Sequence, residues 1–327
     1  MSVISVNLNP EFGCEIALGI PYVYWLHLNG KLEKVITSKG MKPFYYFCDN
    51  VEEKHTIRTI DNSAAGLDTL PNNWIHHNAV AVFGKDYSEL TEEEQSKANG
   101  VLDYSKWELP PYLDHYKNTE FKWDKSVMVI NKYNIEHQHE PYGFFDFQSL
   151  VDIFTYLNER GYTVIYKRQT NKESGIAVDI NEIDTINNNL DFVAEVEGVG
   201  TINDHQLTKY FEDVILFDDL VDSSSNYNEI QMKVMANVDG FITPCGGNSI
   251  LSSIWKKPIL CYITQGYELR PDYFSEDSYI QKMSDNNLIP IFDIRPEINK
   301  NTYDFKVNNS GKNDYQELIK KMKETWL

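Results

Sequence analysis

The stretch Val238–Gly266, VDGFITPCGGNSILSSIWKKPILCYITQG, decides how the rest of the chain is read. Gly240–Thr243 is a short apolar run, β-rich enough for a buried parallel strand. Pro244-Cys245-Gly246-Gly247 breaks it, and Asn248-Ser249 predicts an N-cap pair ahead of the helical spacing of Ile250, Leu251 and Ile254. Lys256-Lys257-Pro258 closes that helix with cations in its last turn and a proline that cannot continue it. Ile259–Ile263 reads as the next strand. A turn of this kind sets free backbone N–H groups and the positive end of a helix dipole at the carboxyl edge of a parallel sheet. Gly246, Gly247, Asn248 and Ser249 are therefore read as holders of a phosphate-bearing ligand. The competing reading is an ordinary strand-to-helix turn that needs glycine for its dihedrals. Neither GK[ST] nor G-x-G-x-x-G is present, which excludes a Walker A loop and a dinucleotide fingerprint.

The chain opens with a second unit of the same kind. Ser2–Leu8 predicts a strand, Asn9–Gly13 a turn, and Cys14–Leu28 a helix ending near Asn29-Gly30. Glu11 lies in the turn itself, where an α/β fold carries its chemistry. Glu15 stands in the first helical turn, where the dipole favours a carboxylate, so it reads equally as a cap. Lys42–Phe47 predicts a buried strand, and Asp49 to Asn73 is polar and irregular. Trp74–Phe83 predicts another strand, on which His76 and His77 point to opposite faces and make no chelate. Thr91–Asn99 predicts a short helix with a Thr91/Glu94 capping box.

Trp107 to Lys125 reads as a connection between domains. From Ser126 the alternation is clear. Strands are predicted at Ser126–Ile130, Tyr162–Tyr166, Asp213–Phe217, Val238–Thr243, Ile259–Ile263 and Leu288–Ile294. Helices are predicted at Phe147–Leu157, Asn228–Ala236 and Asp314–Leu327. Such alternation implies mostly parallel sheets with right-handed crossovers. The expected fold is α/β, two Rossmann-like domains facing across a cleft, with residues 1–120 in the first and 121–327 in the second. The terminal helix is long enough to pack back on the first domain. Polar residues after two strands, Asn131-Lys132-Tyr133 and Lys167-Arg168, are candidates for the cleft wall. His137 and His139 lack a third ligand at recognisable spacing, so no metal site is expected.

Lys and Arg number 30 against 49 Asp and Glu, a formal net charge of −19. Such a surface repels nucleic acid and anionic lipid, and an anionic substrate needs a local cationic pocket. Cys14, Cys48, Cys245 and Cys261 form no C-x-x-C pair and read as reduced thiols. No signal peptide and no membrane span is expected, so the protein reads as soluble and cytoplasmic.

Several landmarks together resemble glycosyltransferases of the GT-B architecture, and more narrowly a glycosyltransferase-like group. They are Glu11-Phe12-Gly13-Cys14-Glu15, Ile20-Pro21-Tyr22-Val23-Tyr24-Trp25-Leu26, Pro43-Phe44-Tyr45-Tyr46-Phe47, Asn131-Lys132-Tyr133-Asn134-Ile135-Glu136 and Gly246-Gly247-Asn248-Ser249. Cys14 and His137 depart from that group, which carries an aromatic at each position. The resemblance implies an acceptor-side first domain and a nucleotide-sugar-binding second domain. It implies transfer from a nucleotide-diphosphate sugar, as co-substrate, to a hydroxyl of a glycan or glycoconjugate acceptor, with no cofactor or metal. Gly246, Gly247, Asn248 and Ser249 would contact the diphosphate. Asn131, Lys132, Tyr133 and Arg168 would line the nucleotide pocket or grip phosphate oxygens, and Glu268 would accept ribose hydroxyls. Glu11, with Glu15 beside it, would supply the general base. A non-catalytic sugar- or nucleotide-binding module and a nucleotide-sugar epimerase remain as alternatives.

Overall fold

The computed structural model describes residues 3–58, 91–92, 104–132, 135–136, 140–141, 143–168, 178–179, 192–222, 225–264, 268, 273–276, 278–293 and 315–326. The expectations for Trp74–Phe83, His76, His77, Tyr133, His137 and His139, and for the Thr91 helix beyond Glu92, lie outside the described residues.

Strands β1 (Ile4–Asn7), β2 (Leu32–Ser38) and β3 (Val51–His55) form a parallel sheet in that order. Between β1 and β2 the chain runs through a helical turn, α1 (Phe12–Cys14), a π-helical stretch, Glu15–Gly19, and α2 (Ile20–Leu28). The widening has a local cause. Pro21 has no N–H to give the Ala17 carbonyl, and Trp107 Nε1 donates to that carbonyl at 2.8 Å instead. The strand expected at Lys42–Phe47 is instead a 3₁₀ turn, Lys42–Tyr45, with Pro43 in its first turn and Phe44 and Tyr45 buried. Its aromatic residues pack as a cluster, with Tyr112 Oη donating to Phe44 O at 2.9 Å. Strand β3, in the region expected to be irregular, carries exposed Glu52, Glu53 and Lys54. It flanks only β2, so hydrophobic alternation does not mark it.

The two-residue strand β4 (Ile57–Arg58) closes the first part, and the helix α3 (Tyr112–Tyr116) lies inside the expected connection. The second part brings β5 (Ser126–Ile130), the short antiparallel pair β6 (Ile135–Glu136) and β7 (Glu140–Pro141), then α4 (Phe147–Asn158) and β8 (Thr163–Lys167). Then come β9 (Val178–Asp179), a hairpin of β10 (Val193–Val196) and β11 (Gly200–Asn203), α5 (Asp204–Leu207) and β12 (Val214–Leu216). The chain continues through α6 (Tyr227–Asn237), β13 (Gly240–Pro244), α7 (Gly247–Ser253), β14 (Ile259–Ile263), α8 (Tyr279–Ser284), β15 (Leu288–Phe292) and α9 (Gln316–Thr325).

Six of these strands make one parallel sheet in the order β12-β8-β5-β13-β14-β15. From β5 the chain first winds outward to β8 and β12, then returns to β13 on the other side. This is the doubly wound order of a dinucleotide-binding sheet, with its direction reversing between β5 and β13. Successive side chains of each strand enter different cores. Ile259, Cys261 and Ile263 join the core that contains Leu26, Phe44 and Trp255, whereas Leu260 and Tyr262 join the one beneath α4. The first core runs without a break from the α1–α2 region to α6, α7 and α8. The connecting segment is fastened too: Asn237 Nδ2 donates to Asn118 O at 2.8 Å.

Among the described residues, helix α9 packs on the second core rather than on the first part. Leu318, Met322 and Trp326 enter the second core beside α4, and Tyr156 Oη donates to Trp326 O at 2.9 Å. Its apolar stripe covers the same face of the six-stranded sheet as α4.

Candidate functional site

In an open α/β sheet the ligand crevice lies outside the carboxyl ends of the strands where the order reverses, here between β5 and β13. Asn131 and Lys132 follow β5, and Cys245 to Gly247 follow β13. Gly246 has φ 132° and ψ −160°, a region that only glycine occupies without strain. It, and not the expected Asn248-Ser249 pair, is the N-cap. Ser249 Oγ accepts from Gly246 N at 3.1 Å and donates to Gly246 O at 2.8 Å. The Ser249 and Ile250 N–H groups also bond the Gly246 carbonyl, whereas those of Gly247 and Asn248 make no such bond. Ser249 thus shapes the turn, and Gly247 and Asn248 present it.

Two cations converge there. A Cβ added at Gly246 would lie 3.8 Å from Lys132 Nζ. Lys167 is only 4% exposed, and its Nζ donates to Asn248 Oδ1 at 3.2 Å. Lys167 also lies 5.9 Å from the Tyr227 ring, and the Tyr227 hydroxyl is buried without a partner. Asp218 faces the same group: burial raises its carboxyl pKa, against the pull of His205 and Lys167. Two lysines thus gather beside the turn in a chain of formal net charge −19, with the Asp218 carboxyl next to them.

The turn at the start of the chain meets this one directly. A Cβ on Gly13 would stand 2.8 Å from Ile250 Cδ1, the movable end of that side chain, and 3.4 Å from Gly247 Cα, so α1 lies close against α7. Glu11 is the N-cap of α1, its Oε2 accepting from Cys14 N at 3.1 Å. Its Oε1 lies 3.4 Å from the place a Gly247 Cβ would take. Glu11 and the glycine turn, more than two hundred positions apart in sequence, are thus neighbours.

Other expected site residues are used elsewhere. Glu15 is 0% exposed: Oε1 accepts from Thr37 Oγ1 and from Tyr45 Oη, and Oε2 pairs with Arg58 Nη1 at 2.5 Å. A carboxylate so enclosed does not reach an acceptor. Arg168 gives its fork to Asp204, with Nε 2.5 Å from Oδ2 and Nη2 bonded to Oδ1, so the bidentate grip expected for phosphate is taken by a carboxylate. Asn131 is buried and clamps the loop, accepting from Phe145 N at 2.9 Å and donating to Phe145 O at 3.0 Å. Tyr166 Oη bonds Asp204 and accepts from Asn131 Nδ2 at 3.3 Å, which joins these residues in one network. Glu268 acts on Cys245, Tyr273 and Tyr279, raising their pKa values together with burial, which places it beside that cluster. The Cys245 thiol is held up first by its bond to Cys261 and then by burial, so it is no activated nucleophile.

Lys167 and Arg168 are both expected at the strand end, but the phosphate grip is expected of Arg168 alone. Strand parity separates the two: Ile165 and Lys167 share the face towards α6 and α7, whereas Tyr166 and Arg168 turn towards Asp204. Arg58 and Asp204 carry no local signal, because their partners lie 43 and 36 residues away. Among the described residues no three His, Cys, Asp or Glu side chains gather as a cation site, and no helix is long and apolar enough to cross a membrane.

No family model and no curated protein matches the chain. Solved structures do resemble it in overall course. E. coli ADP-heptose lps heptosyltransferase II shares 8% identity at a TM-score of 0.44, over 89% of this chain and 90% of that one. E. coli heptosyltransferase WaaC with ADP shares 11% at 0.45, over 100% and 99%. The glycosyl transferase family 9 from Veillonella parvula DSM 2008 shares 9% at 0.43, over 89% and 86%. At such identity and TM-score the likeness reaches no residue of the site.

Proposed function

We propose that this protein is a glycosyltransferase that moves a sugar from a nucleotide-diphosphate sugar to a hydroxyl of a glycan acceptor. One observation carries the reading: the Glu11 carboxylate faces a glycine turn at the sheet's reversal point, with Lys132 and Lys167 gathered around that turn. In this reading Glu11 takes the proton of the acceptor hydroxyl while its oxygen bonds the anomeric carbon. The bond from that carbon to the diphosphate breaks, and its electron pair leaves with the diphosphate. Lys132, Lys167 and the Gly247 and Asn248 N–H groups receive that charge, so no divalent ion is required. Asn131 then presents Lys132, and Asp204 and Arg168 support the wall of the pocket without touching the ligand. The four free thiols accord with a cytoplasmic setting.

Glu11 already caps α1, and that favours a second reading, a binding module in which the carboxylate is structural only. Nucleotide release from ADP-, GDP- and UDP-sugars, with and without a chelator, separates the two. Turnover of one donor that the chelator leaves unchanged is expected. Binding of a donor without release supports the module, and binding of none removes both readings.

A further inference from the structure

We infer that Arg58, with Glu15 as its buried counter-charge, is a positioning residue that holds the Glu11 turn against Gly247. The inference rests on the transferase reading only for its effect on turnover. Arg58 touches the turn on both sides of Glu11. Its Nη1 donates to Pro10 O at 3.1 Å, and its guanidinium lies 5.4 Å from the centre of the Phe12 ring. The same Nη1 pairs with Glu15 Oε2 at 2.5 Å, one helical turn further on. Three points of the loop, Pro10, Phe12 and Glu15, thus meet one side chain that is 3% exposed.

Glu15 in turn is anchored from outside the loop. Thr37 on β2 and Tyr45 in the 3₁₀ turn both donate to its Oε1, Tyr45 at 2.8 Å. Burial raises the Tyr45 phenol well above its usual range, so it stays a donor at all ordinary pH. The π-helical stretch begins at Glu15 itself, so the irregular bonding starts where the ion pair attaches.

The position of Arg58 is itself set from the far half of the chain. It stands on β4, which pairs in parallel with β9, Ile57 opposite Val178 and Arg58 opposite Asp179. Arg58 Nε is buried with no partner. A buried donor left unmet costs stability. The arrangement favours the fit to Pro10, Phe12 and Glu15 over complete pairing.

The test uses the full chain as Arg58→Gln and Arg58→Lys, with two readouts. Hydrogen exchange of peptides covering residues 8–20 is expected to quicken at least tenfold in Arg58→Gln while peptides from α6 and α7 keep wild-type protection. Turnover per bound-nucleotide site, with ADP, GDP and UDP as titrants to count sites, is expected to fall about 100-fold with nucleotide affinity within twofold. Arg58→Lys, which keeps the charge and loses the fork, should recover part of both. Unchanged exchange over residues 8–20 overturns the inference, as does parallel loosening of the whole chain. Quickened local exchange in a protein that releases nucleotide from no donor supports the positioning and sinks the transferase reading instead.

Discussion

The two strand–turn–helix turns, at Glu11 and at Gly246, meet at one crevice but are built on different plans. Each stands near a buried carboxylate–arginine pair, Glu15–Arg58 for the first and Asp204–Arg168 for the second. At the first turn the pair grips the loop itself, through Pro10 and Phe12. At the second the pair holds only the surrounding wall, through Tyr166 and Asn131, and the turn is shaped by Ser249 and one positive φ. The difference follows the chemistry proposed for each. A base must stand at a defined place and is fastened by side chains, whereas an anion is met by backbone groups and mobile ammonium ends.

The comparison breaks most directly at Glu11. Glu11→Gln is expected to lower transfer by about 10²–10⁴-fold, the usual contribution of a positioned base, with nucleotide binding retained. Steady-state rates beside calorimetric titration measure both, and equal transfer would reduce Glu11 to a cap. Asp204→Asn leaves Arg168 buried without its counter-charge and should cost about 3–5 kcal/mol in unfolding free energy. Denaturant unfolding reads that loss. If the variant is as stable as the parent, the second turn has no buried foundation and the parallel with the first fails. Lys167→Met should weaken nucleoside diphosphate binding about tenfold, roughly one charge-assisted hydrogen bond, and flatten its salt dependence. A variant that binds as tightly as the parent places the anion elsewhere.

The smallest effect sharpens the scaffold of the second turn. Lys257 Nζ donates to the carbonyls of Met235 and Ala236, at 3.1 and 2.7 Å, and to that of Val238 between α6 and β13. Burial pushes its ammonium down from 10.5 to about 8. Above pH 8 the folded chain has shed this proton while the unfolded chain keeps it to about 10.5, so the group adds stability as pH rises through that window. That contribution is lost as pH falls through about 8. Lys257→Met should therefore show a flatter rise between pH 8 and 10 in denaturant unfolding. An unaltered slope would assign the rise to other groups.

The second half of the chain was legible because its strands are buried on both faces. Ser126–Ile130 and Ile259–Ile263 are continuous apolar runs with each residue buried, and such runs announce themselves. The first sheet was not. Strand β3 exposes Glu52 and Glu53, and the aromatic run at Pro43 looked like a strand because aromatic residues serve a buried turn equally well. Arg168 drew attention as a cation at a strand end, yet only strand parity separates it from Lys167.

What the sequence alone determined is the local chemistry: a glycine turn after β13, a carboxylate in the turn after β1, and the alternation that makes a parallel sheet. These depend on neighbours in the chain, through backbone dihedrals and hydrophobic period. Tertiary structure decided which of the polar residues pair away from the glycine turn and which gather beside it. Glu15, Arg168 and Asn131 are held by partners 14 to 43 residues away, while Glu11, Lys132 and Lys167 are brought beside one glycine turn. A buried charge must find its counter-charge wherever the fold delivers one, and residue type and local spacing do not record where that is.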